Sequence, residues 1–431
     1  MLTRMRLLLS IVVGLLCGCA ALPAGVPPEG DGPGAAADPP VTVDRIRRVT
    51  TAVPFPRGLV LLGEDLYVLA RGRVRESGGV DGAIDDRAGL IFVIDPNVGE
   101  PIGGDPSESV RGNGRLFATP TEPPFKLFDR SARPPERDRE TDRPYCSLRY
   151  DPTTRNFFLC AFSGIDKPEG KGSVFSKNTN DGLHRFDTRT GTWHVVEKHN
   201  LEAGGNYPHH DPYSRPPPHG WLNGPDNCLV VGRWLYAVAK DNSLLARYDL
   251  SQVAVDPAAP PPASEWVLGH EIEIEGLGRQ AFYGHSMLAE RDGWLYLGYR
   301  TSSVIVRIPL DDDGLPVQPI RGQLLARFDP FDPKTRRSAN LTDMHFGPDG
   351  RLYVICAQPS AVHRFTPNHR RVYDAREGRT PPWADLAAIT GNPRMKSENV
   401  LVDPAGRVFV TSGDAYAYQE GNGGTVYRID P

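Results

Sequence analysis

The sequence predicts an all-β chain closed into a six-bladed β-propeller, and three observations carry the prediction. A unit of three short apolar strands, with a tight turn between the first two, recurs along the chain. The middle strand of each unit is apolar on both faces, as a strand packed between two sheets must be. The last unit ends without an outer strand, and a strand-like segment stands unassigned ahead of the first unit. Repeated antiparallel sheets packed face to face around an axis make a propeller, and joining its two ends removes the open sheet edges.

The clearest unit is 341–357, LTDMHFGPDGRLYVICA: a strand to Phe346, a turn at Gly347-Pro348-Asp349-Gly350, and a second strand over 352–357. Asp-Gly between apolar runs is a hairpin signal, because Gly accepts positive φ. A third strand follows at 361–365. The unit recurs at 284–299 with 303–310, at 397–413 with 424–431, at 223–239 with 243–250, at 57–70 with 88–96, and most weakly at 145–162 with 182–196. Segment 44–53 precedes the first unit and can supply the missing outer strand of the last. A seventh blade would have to hide within 101–144, whose later part, 119–144, is polar and Pro-rich and reads as a long loop. The connections lack helical periodicity, which disfavours a parallel α/β fold; one short helix is expected near 381–389.

Composition agrees. Of 431 residues, 45 are Gly and 42 are Pro, a density that breaks helices. With 39% hydrophobic and 24% charged residues there is material for a sizeable core, which excludes a disordered chain. A formal charge of −4, without basic runs interleaved with aromatics, gives no reason to expect a nucleic-acid partner.

The first residues read as an address. Arg4 and Arg6 precede an apolar run over 7–16. That run falls short of the roughly 20 residues a membrane span needs but suits the core of a signal peptide. Leu16-Cys17-Gly18-Cys19 resembles the lipobox of bacterial lipoproteins. The resemblance implies removal of 1–18, acylation of Cys19 and attachment to a membrane through that lipid. Ala20 leans towards the outer membrane facing the periplasm in a Gram-negative source. The other reading is an ordinary signal cleaved near Ala20 and Ala21, leaving a soluble product. Residues 19–42 then form the lipidated Cys and its tether, since 21–40 is Pro, Gly and Ala with little to bury. The propeller domain is 43–431.

The apolar strand, the Gly/Asp-Pro-x-Gly turn and the Leu-Tyr-Val strand of these units resemble NHL-repeat and gluconolactonase-like six-bladed propellers. The pattern is specific for fold and weak for function, because propellers host unrelated activities.

Four cysteines remain beyond the signal: Cys146, Cys160, Cys228 and Cys356. Export would put them in an oxidising compartment. Cys146 and Cys160 lie symmetrically about a turn in 151–156, so a hairpin would set them opposite each other, within bridging range. A Cys146–Cys160 disulfide is expected, with two buried thiols as the other reading. Cys228 and Cys356 read as core residues. No CxxCH occurs, which excludes covalent haem.

Chemistry in a propeller gathers where the inner strands begin. Aligned by their turns, the units place Asn227, Ser286, Asp343 and Asn399 at matched starts, preceded by Asp226, His285, Thr342 and Glu398. Such an oxygen-rich set suits a hard cation, Ca²⁺ or another divalent ion. The gluconolactonase-like resemblance implies a divalent ion held by Glu, Asn and Asp of the inner strands, and Asn227, Asp343, Glu398 and Asn399 match by type and place. The chain departs from that pattern in its first unit, where Pro56-Arg57-Gly58 stands instead of the family's Glu. Arg57 would oppose a cation and favour an anion. The alternative is that these polar residues bond one another around the channel.

His285 and His345 are candidate general bases, with structural roles as the alternative. His209, His210, Asp211 and His219 cluster in a Pro-rich, aromatic stretch that would govern ligand access. His209, Asp211 and His219 could ligate a transition metal, or the stretch could be a rigid cover over the channel. No GxSxG, P-loop or dinucleotide-binding Gly motif is present. Two functions follow. One is a non-catalytic module binding a small molecule, a glycan or a protein at the propeller face. The other is a gluconolactonase-like hydrolase, in which a channel-bound divalent ion polarises a lactone or ester carbonyl. The missing first-unit Glu places the binding module ahead.

Overall fold

Asp292 and Gly293 both take positive φ, 53° and 74°. This is the two-residue hairpin geometry whose twist matches its flanking strands, and it joins His285–Arg291 to Trp294–Tyr299. The computed structural model describes residues 39–431 except 54–55, 71–90, 119–144, 162–163, 167–172, 176–181, 199–223, 240–242, 331–338, 358–359, 369, 377–378, 394 and 413–423.

Each repeated unit becomes an antiparallel sheet. The inner hairpins are Pro56–Leu62 with Asp65–Ala70, Tyr145–Asp151 with Asn156–Ala161, and Pro225–Val231 with Trp234–Ala239. Further round are His285–Arg291 with Trp294–Tyr299, Leu341–Phe346 with Leu352–Ala357, and Ser397–Val402 with Val408–Ser412. Third strands follow at Ile91–Ile94, Gly182–Asp187, Leu244–Asp249, Val304–Pro309, Ser360–Phe365 and Thr425–Ile429. The inner strands pack in cyclic order, and Ser397–Val402 returns to Pro56–Leu62. The architecture is an all-β propeller, with the inner strands around its axis.

The core lies between neighbouring sheets. Every residue of Trp234–Ala239 and of Leu352–Ala357 is buried, because sheets cover both faces. Each large side chain sealed this way contributes about 1.5–3 kcal/mol. The last sheet takes its outer strand from the start of the domain. Ile46–Thr50 pairs antiparallel with Thr425–Ile429, Ile46 opposite Ile429 and Thr50 opposite Val426. Ile46 and Val49 have no exposure. The Asp430 N–H donates to the Arg45 carbonyl at 2.9 Å, and the Arg45 guanidinium returns two bonds to the Asp430 carbonyl at 2.9 and 2.6 Å. Glu100–Pro101 pairs along the outer side of Ile46–Thr50 and covers that edge.

The expected helix is Leu386–Thr390. The Asp385 side chain caps its N-terminus by accepting from the Ala388 N–H at 3.0 Å, and left-handed Gly391 ends it.

The Cys146–Cys160 disulfide is a correction. Both residues are free thiols. The Tyr145–Asp151 strand carries a bulge between Tyr145 and Ser147, which puts Ser147, not Cys146, opposite Cys160. One inserted residue shifts the register and removes the pairing that symmetric spacing implied.

Candidate functional site

The same irregularity recurs at the start of each inner strand. The ladder slips between Arg57 and Leu59, Pro225 and Asn227, His285 and Met287, Leu341 and Asp343, and Ser397 and Val400. A bulge bends the strand and re-aims its side chains. These slips bring polar residues from different sheets into one buried network.

Asp343 is its hub, with no exposure. Its Oδ1 accepts from Arg149 Nη2 at 3.0 Å and from Asn227 Nδ2 at 3.2 Å. Its Oδ2 accepts from Asn399 Nδ2 at 3.2 Å and from the Val400 N–H at 3.3 Å. The two amides are oriented by backbone donors. The Cys228 N–H donates to Asn227 Oδ1 at 2.9 Å, and the Gly58 N–H to Asn399 Oδ1 at 3.0 Å. A backbone N–H only donates and a carboxylate only accepts, so an amide bridging them must turn its oxygen to the first and its NH₂ to the second. Alongside, Arg57 Nη1 pairs with Glu398 Oε2 at 2.5 Å.

The structure thus brings together Asn227, Asp343, Glu398, Asn399 and Arg57, all named from sequence, and adds Arg149, which was not. Arg149 lies two residues past the bulge of its strand, as His345 lies two past Asp343. Alignment by turn passed over it because its unit is the weakest of the six, and the bulge that marks its place is seen only in the fold.

The donor set does not fit a cation. Both amide oxygens are committed to backbone N–H groups, and both carboxylates are paired with guanidiniums. Among the described residues no group of three or more His, Cys, Asp or Glu is placed to hold a metal ion. What the network offers outward is donors. In each ion pair the guanidinium is the more exposed partner, 14% for Arg149 against 1% for Asp343 and 10% for Arg57 against 6% for Glu398.

His345 is half-buried, on the strand face it shares with Asp343. Its Nδ1 accepts from the Val402 N–H at 3.2 Å, which leaves the ring proton on Nε2 as a donor. Burial, helped by the Arg149 charge, lowers its pKa to about 4 and keeps the ring neutral. His285 is elsewhere. It stacks on Tyr299 with ring centroids 4.5 Å apart, has no exposure, and neither ring nitrogen has a hydrogen-bond partner among the described residues. Burial lowers its pKa to about 3. It is the first residue of its inner strand, paired with Tyr299 and sealed from solvent. His209, His210, Asp211 and His219 lie outside the described residues, as does Cys19.

No protein-family model matches the chain, and no curated protein shows significant similarity to it. Solved structures are similar at low identity. A calcium-binding protein, regucalcin, from Agrobacterium tumefaciens is 10% identical with a TM-score of 0.43, over 89% of this chain and 92% of that one. A glucose dehydrogenase is 12% identical with a TM-score of 0.43, over 90% and 99%. A streptogramin B lyase is 11% identical with a TM-score of 0.40, over 89% and 96%. At these values none assigns an activity, and the propeller rests on the strand topology above.

Proposed function

We propose that this chain is a six-bladed, ligand-binding propeller that takes a small anionic molecule, a carboxylate-bearing compound above all, where its inner strands begin. One observation carries the reading: the Asp343 carboxylate is sealed at 1% exposure behind the Arg149 guanidinium, which keeps 14%, and a second guanidinium, Arg57, is paired alongside. An anion arriving there meets Arg57, Arg149 and the Nε2–H of His345, and charge-assisted N–H bonds to a carboxylate are the strong ones. The carboxylates behind hold the guanidiniums in place, so little ordering remains to be done on binding. The acylated Cys19 and the Pro/Gly/Ala tether hold the domain on a membrane after export, with two or more acyl chains giving stable anchorage.

The test titrates the full chain with gluconate, glucuronate and citrate, following heat of binding and thermal stability. Saturable binding of at least one, lost in Arg149→Ala and kept in part by Arg149→Lys, is the expected result. No binding by any of them overturns the anionic reading. Calcium-dependent hydrolysis of a gluconolactone by the same preparation would put the hydrolase in its place. The anchor is tested separately: Cys19→Ala is expected to move the protein from the membrane to the soluble fraction, and unchanged retention refutes acylation at Cys19.

A further inference from the structure

Three of the inner strands follow one rule, and a fourth breaks it. In the three, the second residue of the strand bonds to the start of the inner strand that packs next to it. Ser286 Oγ donates to the Leu341 carbonyl at 3.5 Å, and Thr342 Oγ1 to the Ser397 carbonyl at 3.3 Å. Glu398 Oε2 accepts from Arg57 Nη1 at 2.5 Å, where the ring closes. Asp226 is the second residue of Pro225–Val231, and the strand that follows begins at His285. Here the bond is missing. The His285 ring is stacked on Tyr299, and neither of its nitrogens has a hydrogen-bond partner among the described residues. Nothing among the described residues bonds to the half-buried Asp226 carboxylate or pairs with it.

Asp226 stands beside the Asp343 network, not inside it. It is the extra residue of the bulge between Pro225 and Asn227. Its neighbour Asn227 gives Nδ2 to Asp343 Oδ1 at 3.2 Å, and Arg149 Nη2 reaches the same oxygen at 3.0 Å, so the two nitrogens lie within about 6 Å of each other. Arg149 gives one further N–H to the Leu148 carbonyl at 3.1 Å and has donors left over. The strands Tyr145–Asp151 and Pro225–Val231 pack on each other. Their starts therefore set a guanidinium with spare donors and a carboxylate with spare acceptors side by side.

We propose that the site takes an amino acid, its carboxylate on Arg149 and its ammonium on Asp226. This rests on the reading of Arg149 as the partner of a ligand carboxylate and adds what the other end of the ligand must be. A half-buried carboxylate without a donor is unfavourable, and a simple acid arriving beside it meets like charge. An ammonium only donates and a carboxylate only accepts, so the two match. Charge-assisted bonds then form at both ends of the ligand. A simple acid satisfies Arg149 alone and a simple amine Asp226 alone. A hydroxyl in place of the ammonium also donates to Asp226 but leaves its charge uncompensated.

The experiment titrates the full chain, by calorimetry, with pairs that differ only in the amino group: alanine and propionate, glutamate and glutarate, 4-aminobutyrate and butyrate. The expected result is that at least one amino acid binds about tenfold or more tighter than its partner acid. Asp226→Asn should then weaken that amino acid to near the level of the acid, while the acid itself, relieved of the like charge, binds tighter. A merely structural role for Asp226 would weaken both together. Equal affinities within all three pairs, or a preference for the amino acid that survives Asp226→Asn, overturns the proposal and leaves the anionic site standing. Binding of neither the acids nor the amino acids overturns the anionic reading along with it. The wild-type pairs decide the matter even if Asp226→Asn fails to fold.

Discussion

Arg149 and Asp343, 194 residues apart in the chain, meet across two non-adjacent inner strands, with Nη2 3.0 Å from Oδ1. Three further donors close on the same carboxylate, so the pair fixes the positions of Asn227, Asn399 and the strand that begins at Ser397.

Removing one partner should therefore cost more than removing both. Asp343→Ala leaves the Arg149 charge and two amide NH₂ groups unsatisfied, and the expected loss is about 3–5 kcal/mol in urea denaturation. The Arg149→Ala, Asp343→Ala double variant should lose less than the sum of the single variants. The coupling read from that cycle measures the pair itself.

Stability should fall with acid from near neutrality. His285 is held at about 3, and His345 and His363 at about 4, in each case chiefly by burial. A histidine in the unfolded chain takes its proton near pH 6.5. Above that pH both states are neutral and nothing is lost. Between 6.5 and the folded values the unfolded state binds more protons, so each group removes up to about 1.4 kcal/mol per pH unit as pH falls. Asp374, held at about 2 mainly by its bond from Arg376, adds a loss confined to below about pH 4. Urea midpoints at pH 7.5 and 5 should show the drop, and His285→Phe, which keeps the stack on Tyr299, should make it shallower.

Gly58→Ala should be among the most damaging small substitutions. A Cβ there would lie 2.5 Å from both the Cβ and the backbone nitrogen of Leu148, at a φ of +25°. Neither neighbour is the end of a flexible side chain, so the inner strands must part. That disturbs the Gly58 N–H bond to Asn399 as well. The expected loss is about 3 kcal/mol, read as a fall in thermal midpoint.

Closure of the ring is open to deletion. A chain beginning at residue 43 keeps Ile46–Thr50 and should remain monodisperse. A chain beginning at 52 exposes the edge of Thr425–Ile429 and uncovers the pocket of Ile46 and Val49. Size-exclusion chromatography should show association, with a stability loss of about 3–5 kcal/mol from the two buried side chains.

Most of the fold was legible. The turn at Asp292-Gly293, the doubly apolar strands Trp234–Ala239 and Leu352–Ala357, and the outer strand supplied by Ile46–Thr50 all follow from local pattern and from the need to hide sheet edges. The site was legible in part. Asp343, Asn227, Asn399, Glu398 and Arg57 stand at matched strand starts, so alignment of the repeats assembled them. Arg149 was missed because its unit lacks the Gly turn that set the alignment. The Cys146–Cys160 pairing failed on one inserted residue, a bulge that no spacing rule reveals.

The sequence by itself determined that this chain is a ring of antiparallel sheets, because strand period, turn chemistry and edge closure are written in neighbouring residues. Only the tertiary structure decided how the polar strand starts pair with one another. Their residue types alone suit a cation. Whether an amide presents its oxygen or its NH₂ depends on which backbone N–H reaches it from another sheet, and Gly58 and Cys228 settle that for Asn399 and Asn227. Contacts between residues far apart in the chain join Asn227, Asn399 and Arg149 to one carboxylate, Asp343.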